Sequence, residues 1–368
     1  MPPTVANSID RLDEAIPLSK AAAWDAVGLQ VGDSQAVANV VGVCHEVTDQ
    51  VAAAAADRGV DLLVSYHPLL FRPATSFVAG ASAGGRAFHL AAAGVALYVV
   101  HTAFDVAAGG CADALASALD LDGAAGFGVG WPSDSAKVVT YAPGAAVDEI
   151  VAAMAQAGAG DIGSYGECAF TLEGVGRYRP RAGASPAIGT RGEMSRQPEI
   201  RIEMNLPRSR LDRVVAALAA AHPYEEPAYD VYSAEANAGF VGRIGDLAAP
   251  MTLDGLGSRV AAALSAVAKL AGDPERQVRR VAVVPGSGSD FLGHATAAGA
   301  DVIVTGDVSH HRARDALASG LAVIDAGHAA TERPGLARLY SLVSEMFADT
   351  IDMTHLNPDP WGSARWRS

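Results

Sequence analysis

Two heptapeptides far apart in the chain, Gly59-Val-Asp-Leu-Leu-Val-Ser65 and Gly299-Ala-Asp-Val-Ile-Val-Thr305, set the frame for what it can fold into. Each starts at a glycine, runs through consecutive apolar residues and ends on a hydroxyl. A glycine that stops a helix, then a short apolar strand, then a polar tip is the rhythm of a sheet with helices packed on it. The rhythm recurs. Gly94-Val-Ala-Leu-Tyr-Val-Val-His101 parallels Gly320-Leu-Ala-Val-Ile-Asp-Ala-Gly-His328, with one extra residue in the second. Val40-Val-Gly-Val43 reads as a further buried strand, and Thr48 as the cap of an alanine-rich helix that ends near Gly59. A first helix is predicted over 7–23, another over 86–93, and a last one from Thr331 to Phe347. The expectation is two related α/β lobes, 1–135 and 236–368.

Between them the pattern changes. Strands are predicted at 137–142, 167–173, 199–204 and 228–232, with helices at 145–157 and 208–221. The order β-α-β-β-α-β is that of a ferredoxin-like α+β domain, so residues 136–235 read as an insertion. His222-Pro-Tyr-Glu-Glu226 is a proline-fixed acidic turn, either solvated or in contact with a ligand.

Composition narrows the function. Half of the 368 residues are hydrophobic, enough for sizeable cores, yet no apolar run reaches the roughly 18 residues of a membrane span. The start, Met1-Pro-Pro-Thr4, does not read as a signal peptide, and three scattered cysteines suit a reducing cytoplasm better than a disulfide framework. A net charge of −14 argues against nonspecific nucleic-acid binding. It leaves room for a phosphorylated substrate, because bound cations reverse the local sign.

The chemistry gathers at the polar tips, since open α/β sheets build their sites beyond the carboxyl ends of strands. His328 and Glu332 stand four residues apart after the strand 321–324 and can converge on one point. A divalent ion wants four or more ligands, so the rest must come from elsewhere in the chain.

Five segments together resemble the NIF-three-like family, also called the GTP cyclohydrolase 1 type 2 homologues. They are Trp24-Asp-Ala-Val-Gly-Leu-Gln-Val-Gly32, Ser65-Tyr-His-Pro-Leu-Leu70, His101-Thr-Ala-Phe-Asp105, Thr305-Gly-Asp307 with His311, and Asp325-Ala-Gly-His328 with Glu332. The resemblance spans both lobes and the insert, the form of the family that carries an inserted domain. It implies up to two divalent metal ions held between the lobes. The ligands it assigns are His67, Asp105, His328 and Glu332, with the glutamate bridging both ions. Imidazole and carboxylate suit zinc first, then manganese, iron or magnesium, and a water held by such a pair becomes a nucleophile near neutral pH. The resemblance also implies a homo-oligomer, typically a ring-shaped hexamer.

The chain departs from the family where His-His-Pro is usual and Tyr66-His67-Pro68 stands instead. Tyr66 is then a candidate ligand of the second metal only if a cation takes its phenolate. Ala26 and Ala103 replace asparagines common in the family and carry no assigned role. His101 and His311 are the candidate acid–base groups. Gly286-Ser-Gly-Ser289 is a candidate for cradling a phosphate. His45, His89, His294 and His355 lack a motif partner and receive no role. Two functions follow: a metal-dependent hydrolase of the GTP cyclohydrolase 1 type 2 kind, acting on a nucleotide or phosphorylated small molecule, or a non-catalytic metal-binding regulatory or scaffold protein.

Overall fold

The computed structural model describes residues 2–22, 24–129, 135–162, 165–234, 239–357 and 359–361. The chain divides into two compact units: Met1–Trp131 with Ala238–Ser368, and Pro132–Asn237. The expected boundary at 235/236 lies outside the described residues. The one at 135/136 falls within the strand Ser135–Ala142, which belongs to the second unit.

Among the described residues, the first unit holds two sheets. One has five strands in the spatial order Gly28–Val31, Ala96–Val99, Leu62–Ser65, Val40–Cys44 and Asp349–Asp352. All its pairings are parallel except that of Gly28–Val31 with Ala96–Val99. The central strands Leu62–Ser65 and Ala96–Val99 are buried at every residue, as uninterrupted apolar runs must be when helices cover both faces. The other sheet has six strands, ordered Lys269–Ala271, Ala322–Asp325, Val302–Gly306, Gln277–Ser287, Phe240–Thr252 and Asp122–Val129. Its centre, Val302–Gly306, pairs in parallel with both neighbours.

Each sheet takes an edge strand from the opposite end of the chain. Asp122–Val129 pairs with Phe240–Thr252, and Asp349–Asp352 with Val40–Cys44. The helix His328–Met346 joins the same exchange. Ala330 packs with Leu115, Val281 and Ile324, whereas Leu336, Leu339 and Val343 pack with Val5, Leu12 and Phe104. The start of this helix is therefore anchored in one core and its later turns in the other.

Local sequence explains where the helices end. The first runs only over Val5–Ala15, opened by a capping box between Thr4 and Asn7. Pro17 closes it, and a short 3-10 turn Leu18–Lys20 replaces the expected continuation; Ala23 lies outside the described residues. The last helix begins at His328, not Thr331. Gly327 opens it at φ 90° and ψ 150°, backbone angles essentially confined to glycine. Thr331 looks like a cap in sequence, but its hydroxyl donates backward to the carbonyls of Gly327 and His328 at 3.1 and 2.8 Å.

The second unit runs strand Ser135–Ala142, helix Val147–Gln156, strands Phe170–Tyr178 and Ser195–Pro207, helix Leu211–Ala221 and strand Tyr229–Ala234. Its sheet is antiparallel throughout, in the order Phe170–Tyr178, Ser195–Pro207, Ser135–Ala142, Tyr229–Ala234. Ile150, Met154, Val214 and Leu218 from the helices pack on Ala136, Val138, Ile202 and Met204 of the sheet. The turn after Leu211–Ala221 is pinned rather than merely solvated. The backbone N–H of Tyr224 donates to His222 Nδ1 at 3.1 Å, and that of Ser185 to Glu225 Oε1 at 2.6 Å. Among the described residues no helix is long and apolar enough to cross a membrane.

Candidate metal centre

Three strand tips of the five-stranded sheet and the first turn of the helix His328–Met346 meet at one carboxylate. Parallel pairing sets Cys44 against Ser65. It carries past the strand ends, where Tyr66 and His67 donate backbone N–H groups to the carbonyls of Cys44 and His45. His45 thereby lies beside Tyr66 and His67, with ring centroids 5.8 and 4.7 Å away. The next tip supplies His101 and, one helical turn on, Asp105.

Glu332 is only 2% exposed. Its Oε2 lies 2.8 Å from His45 Nε2 and 3.2 Å from His67 Nε2. Its Oε1 lies 3.0 Å from His328 Nε2 and 3.5 Å from the Tyr66 hydroxyl. His328 turns its other nitrogen to Asp307 Oδ2 at 2.7 Å. Gly286, near the end of the strand Gln277–Ser287, covers the carboxylate. A Cβ there would lie 2.6 Å from Glu332 Oε1 and 3.3 Å from His328 Nε2, so the approach requires glycine.

Burial alone would raise the Glu332 carboxyl, but the hydrogen bonds from His328, His45 and His67 outweigh it and hold the group well below the usual carboxylate range. The Glu332 hydrogen bond, against some burial, lifts His328 to about 9. Burial holds His67 below the ordinary histidine value despite Glu332. His67 is thus neutral near pH 7, the form a metal requires.

The flanking pair behaves differently. Tyr66 donates its hydroxyl to Asp105 Oδ1 at 2.5 Å, with Cys111 Sγ 3.9 Å on another side. Burial first, then the Asp105 charge, pushes the phenol well above its ordinary value. Burial also raises Asp105, to about 7, against the charge of His101 and the Tyr66 hydrogen bond. His101 Nδ1 meets Asp25 Oδ1 at 2.8 Å, and Asp25 Oδ2 accepts from the N–H and hydroxyl of Thr102. Burial opposes protonation of His101, but Asp25 prevails and raises it.

Of the sequence candidates, Tyr66, His67, Asp105, His328 and Glu332 come together, and His101 stands with its ring 5.0 Å from that of His67. His311 does not join them. It is exposed on the helix His310–Ala318, edge-on to His310 at 5.5 Å. The Gly286–Ser289 loop is also less free than a phosphate cradle needs, because Gly286 and Gly288 already donate their N–H groups to Thr331 and Thr305. His45, given no role from sequence, is the residue that reasoning missed. The signal was present: it stands at the tip of the apolar strand Val40–Cys44, as Tyr66 and His67 stand at the tip of Leu62–Ser65.

His45, His67 and Glu332 form a group that could hold a metal ion, with their ligand atoms all within 4.8 Å of one another. Tetrahedral ligands bound at about 2.1 Å stand roughly 3.4 Å apart, so the set fits with small adjustment. It borders a cavity of about 690 Å³ lined by Trp24, Phe71, His101, Asp105, Phe291 and His328 among others.

The model of the Duf34/NIF3 (NGG1p interacting factor 3) family matches residues 3–360. The chain belongs to this family. It is 37% identical over 367 residues to the "GTP cyclohydrolase 1 type 2 homolog" of Mycobacterium tuberculosis, covering 97% of this chain and 96% of that protein. The protein of the same name from Halalkalibacterium halodurans is 37% identical over 317 residues, 85% of each chain. Among solved structures, the Bacillus cereus protein related to NIF3 aligns with a TM-score of 0.68 at 32% identity, covering 99% of this chain and 100% of that one. The match to the Duf34/NIF3 family spans both units.

Proposed function

We propose that the chain is a dinuclear, divalent-metal-dependent hydrolase of a small planar substrate, a nucleotide or related phosphorylated heterocycle. The observation that carries this reading is Glu332. One buried carboxylate faces two imidazoles on Oε2 and a third on Oε1, a layout suited to bridging two cations. His67, His328, Glu332 and Asp105 hold the pair, zinc being the first candidate, with His45 adjoining. When bound, the cations supply Lewis-acid activation of water.

The chain's own residues supply the rest. Trp24 and Phe71, 54% and 49% exposed and edge-on at 6.0 Å, offer apolar faces at the cavity mouth for a heterocycle. No lysine or arginine lines the cavity among the described residues, so a phosphate there would rely on the cations for its countercharge. His101, whose protonated form Asp25 favours against burial, is placed to give a proton to a leaving nitrogen or oxygen. His311 would serve only if substrate reached the helix His310–Ala318.

We further propose that the second unit is a ferredoxin-like insertion, a reading supported by its element order and antiparallel sheet. A homo-oligomer, hexameric by family resemblance, and a cytoplasmic location complete the proposal. One observation favours a regulatory or scaffold role instead: the second unit has its own cavity of about 980 Å³, lined by Arg177, Arg179, Arg181, Arg201, Tyr141 and Tyr224 among others. The test is turnover of a panel of nucleotides and phosphoesters by tag-free protein, stripped of metal and reloaded with zinc, manganese or iron. Metal-dependent release of product supports the hydrolase. Stoichiometric metal with no turnover across the panel favours the regulatory reading.

A further inference from the structure

We propose that one cation of the centre is held by His45, His67 and Oε2 of Glu332, and that Tyr66 is not a ligand but a positioning residue that holds Asp105. The proposal rests on the metal-binding reading above and changes who does the binding.

The geometry assigns the imidazole to His45. Its Nε2 and that of His67 converge on a single carboxylate oxygen, at 2.8 and 3.2 Å, from tips of adjacent strands. Two imidazoles and one carboxylate, with the remaining side open to a cavity, are the ligand set of a metal site that keeps a position free for substrate or water. The tilt of the two rings, 43° with centroids 4.7 Å apart, lets both nitrogens face one point without the rings colliding.

Tyr66 is committed elsewhere. Its hydroxyl donates to Asp105 Oδ1 at 2.5 Å and stands a longer 3.5 Å from Glu332 Oε1. The ring is only 1% exposed and packs edge-on against His67 and Phe104 at 4.9 and 6.5 Å. Turning the oxygen toward a cation would break the bond to Asp105 and disturb this packing. The imidazole that the sequence resemblance places at position 66 is therefore delivered from the neighbouring strand at the same level, one step past the Cys44 and Ser65 pair. Tyr66 fixes the carboxylate of Asp105 beside it.

The alternative is that His45 only donates a hydrogen bond to a buried carboxylate. His45→Gln separates the two, because an amide still donates but is a poor ligand for zinc. Metal-stripped full-length protein is titrated with zinc alone by calorimetry, with circular dichroism to confirm folding. His45→Gln should weaken the tight zinc site by at least about 100-fold, more than loss of a residue that only orients a ligand. Tyr66→Phe should cost less than about tenfold. In His45→Ala/Tyr66→His the imidazole returns from the other strand, so binding should recover at least about tenfold over His45→Ala. A measurement on the intact pair completes the test: zinc-edge X-ray absorption of the His328→Gln protein at one equivalent should count two imidazoles. Unchanged zinc affinity in His45→Gln, an equal loss in Tyr66→Phe, or a single imidazole in the absorption spectrum would overturn the assignment. Wild-type protein that binds none of zinc, manganese or iron would overturn the metal reading itself.

Discussion

At the scale of single residues, the centre is organised by the unequal demands on the two oxygens of Glu332. If each oxygen serves a different cation, Glu332→Gln should abolish both sites, whereas His328→Gln should abolish one and leave the cation on His45 and His67. Metal content after dialysis distinguishes these outcomes, and a Glu332→Gln protein that keeps one equivalent would show that the carboxylate does not bridge. The pH dependence follows from the same group. In the metal-free chain His328 is lifted from 6.5 to about 9, chiefly by Glu332 on its own helix and also by Asp307 from the adjacent loop, with the His67 ring 5.7 Å away. The raised value means that its stabilisation is complete below pH 6.5 and is lost as pH climbs through about 9. Asp105, raised to about 7 by burial, works in the same sense, since the folded metal-free chain opposes its ionisation. A cation reverses the trend because it needs both groups deprotonated. The rise in Tm on adding saturating manganese should therefore be larger at pH 9 than at pH 6.5, by differential scanning fluorimetry. Equal rises would remove His328 from the ligand set. Sequence made His328 and Glu332 legible because four residues on a helix is a contact distance. His45 could be read only as a histidine at a strand tip; its partners in the site are adjacent through sheet register, not through any spacing in the chain.

At the scale of elements, the turn into the helix His328–Met346 decides whether those side chains are aimed. Gly327 holds φ 90° and ψ 150°, where any Cβ is strained. Gly327→Ala should cost about 1–3 kcal/mol and rotate His328 away from Glu332. The expected result is a lower Tm together with weaker zinc binding, read by thermal melts and calorimetry on the same preparation. A lower Tm with unchanged zinc affinity would mean that the helix start is not what aims the ligand. The central strands Val40–Cys44, Leu62–Ser65, Ala96–Val99, Val302–Gly306 and Ala322–Asp325 were readable, since apolar runs bounded by glycine and a polar tip leave few alternatives; outer strands such as Gly28–Val31 and Lys269–Ala271, short and less apolar, were not. The helix start was not, because a backbone angle at one glycine and a threonine bonding backward are invisible to a pattern that expects a side-chain cap.

At the scale of the whole molecule, the sequence repeat suggested two lobes in series, and the sheets are instead interleaved. Asp122–Val129 completes the sheet of the later half and Asp349–Asp352 that of the earlier half. Pairing between distant segments leaves no local trace, which is why the exchange could not be read in advance. It makes a specific case for the independence of the first unit from residues 132–237. On one side of that segment the strand Asp122–Val129 ends, on the other Phe240–Thr252 begins, and Val129 and Phe240 are register partners in the antiparallel ladder. Two chain ends already paired can be joined by a short turn with little strain, and the entropy of loop closure changes only slowly with length. None of the residues at the metal centre comes from the removed segment. Replacing residues 132–237 by a four-residue Gly/Ser linker should thus give a folded protein whose zinc affinity matches full-length protein to within about threefold. A folded deletion protein with no metal binding would show that the second unit is needed to complete the centre. Retained metal binding with lost turnover would place the substrate contacts, not the cations, in the second unit.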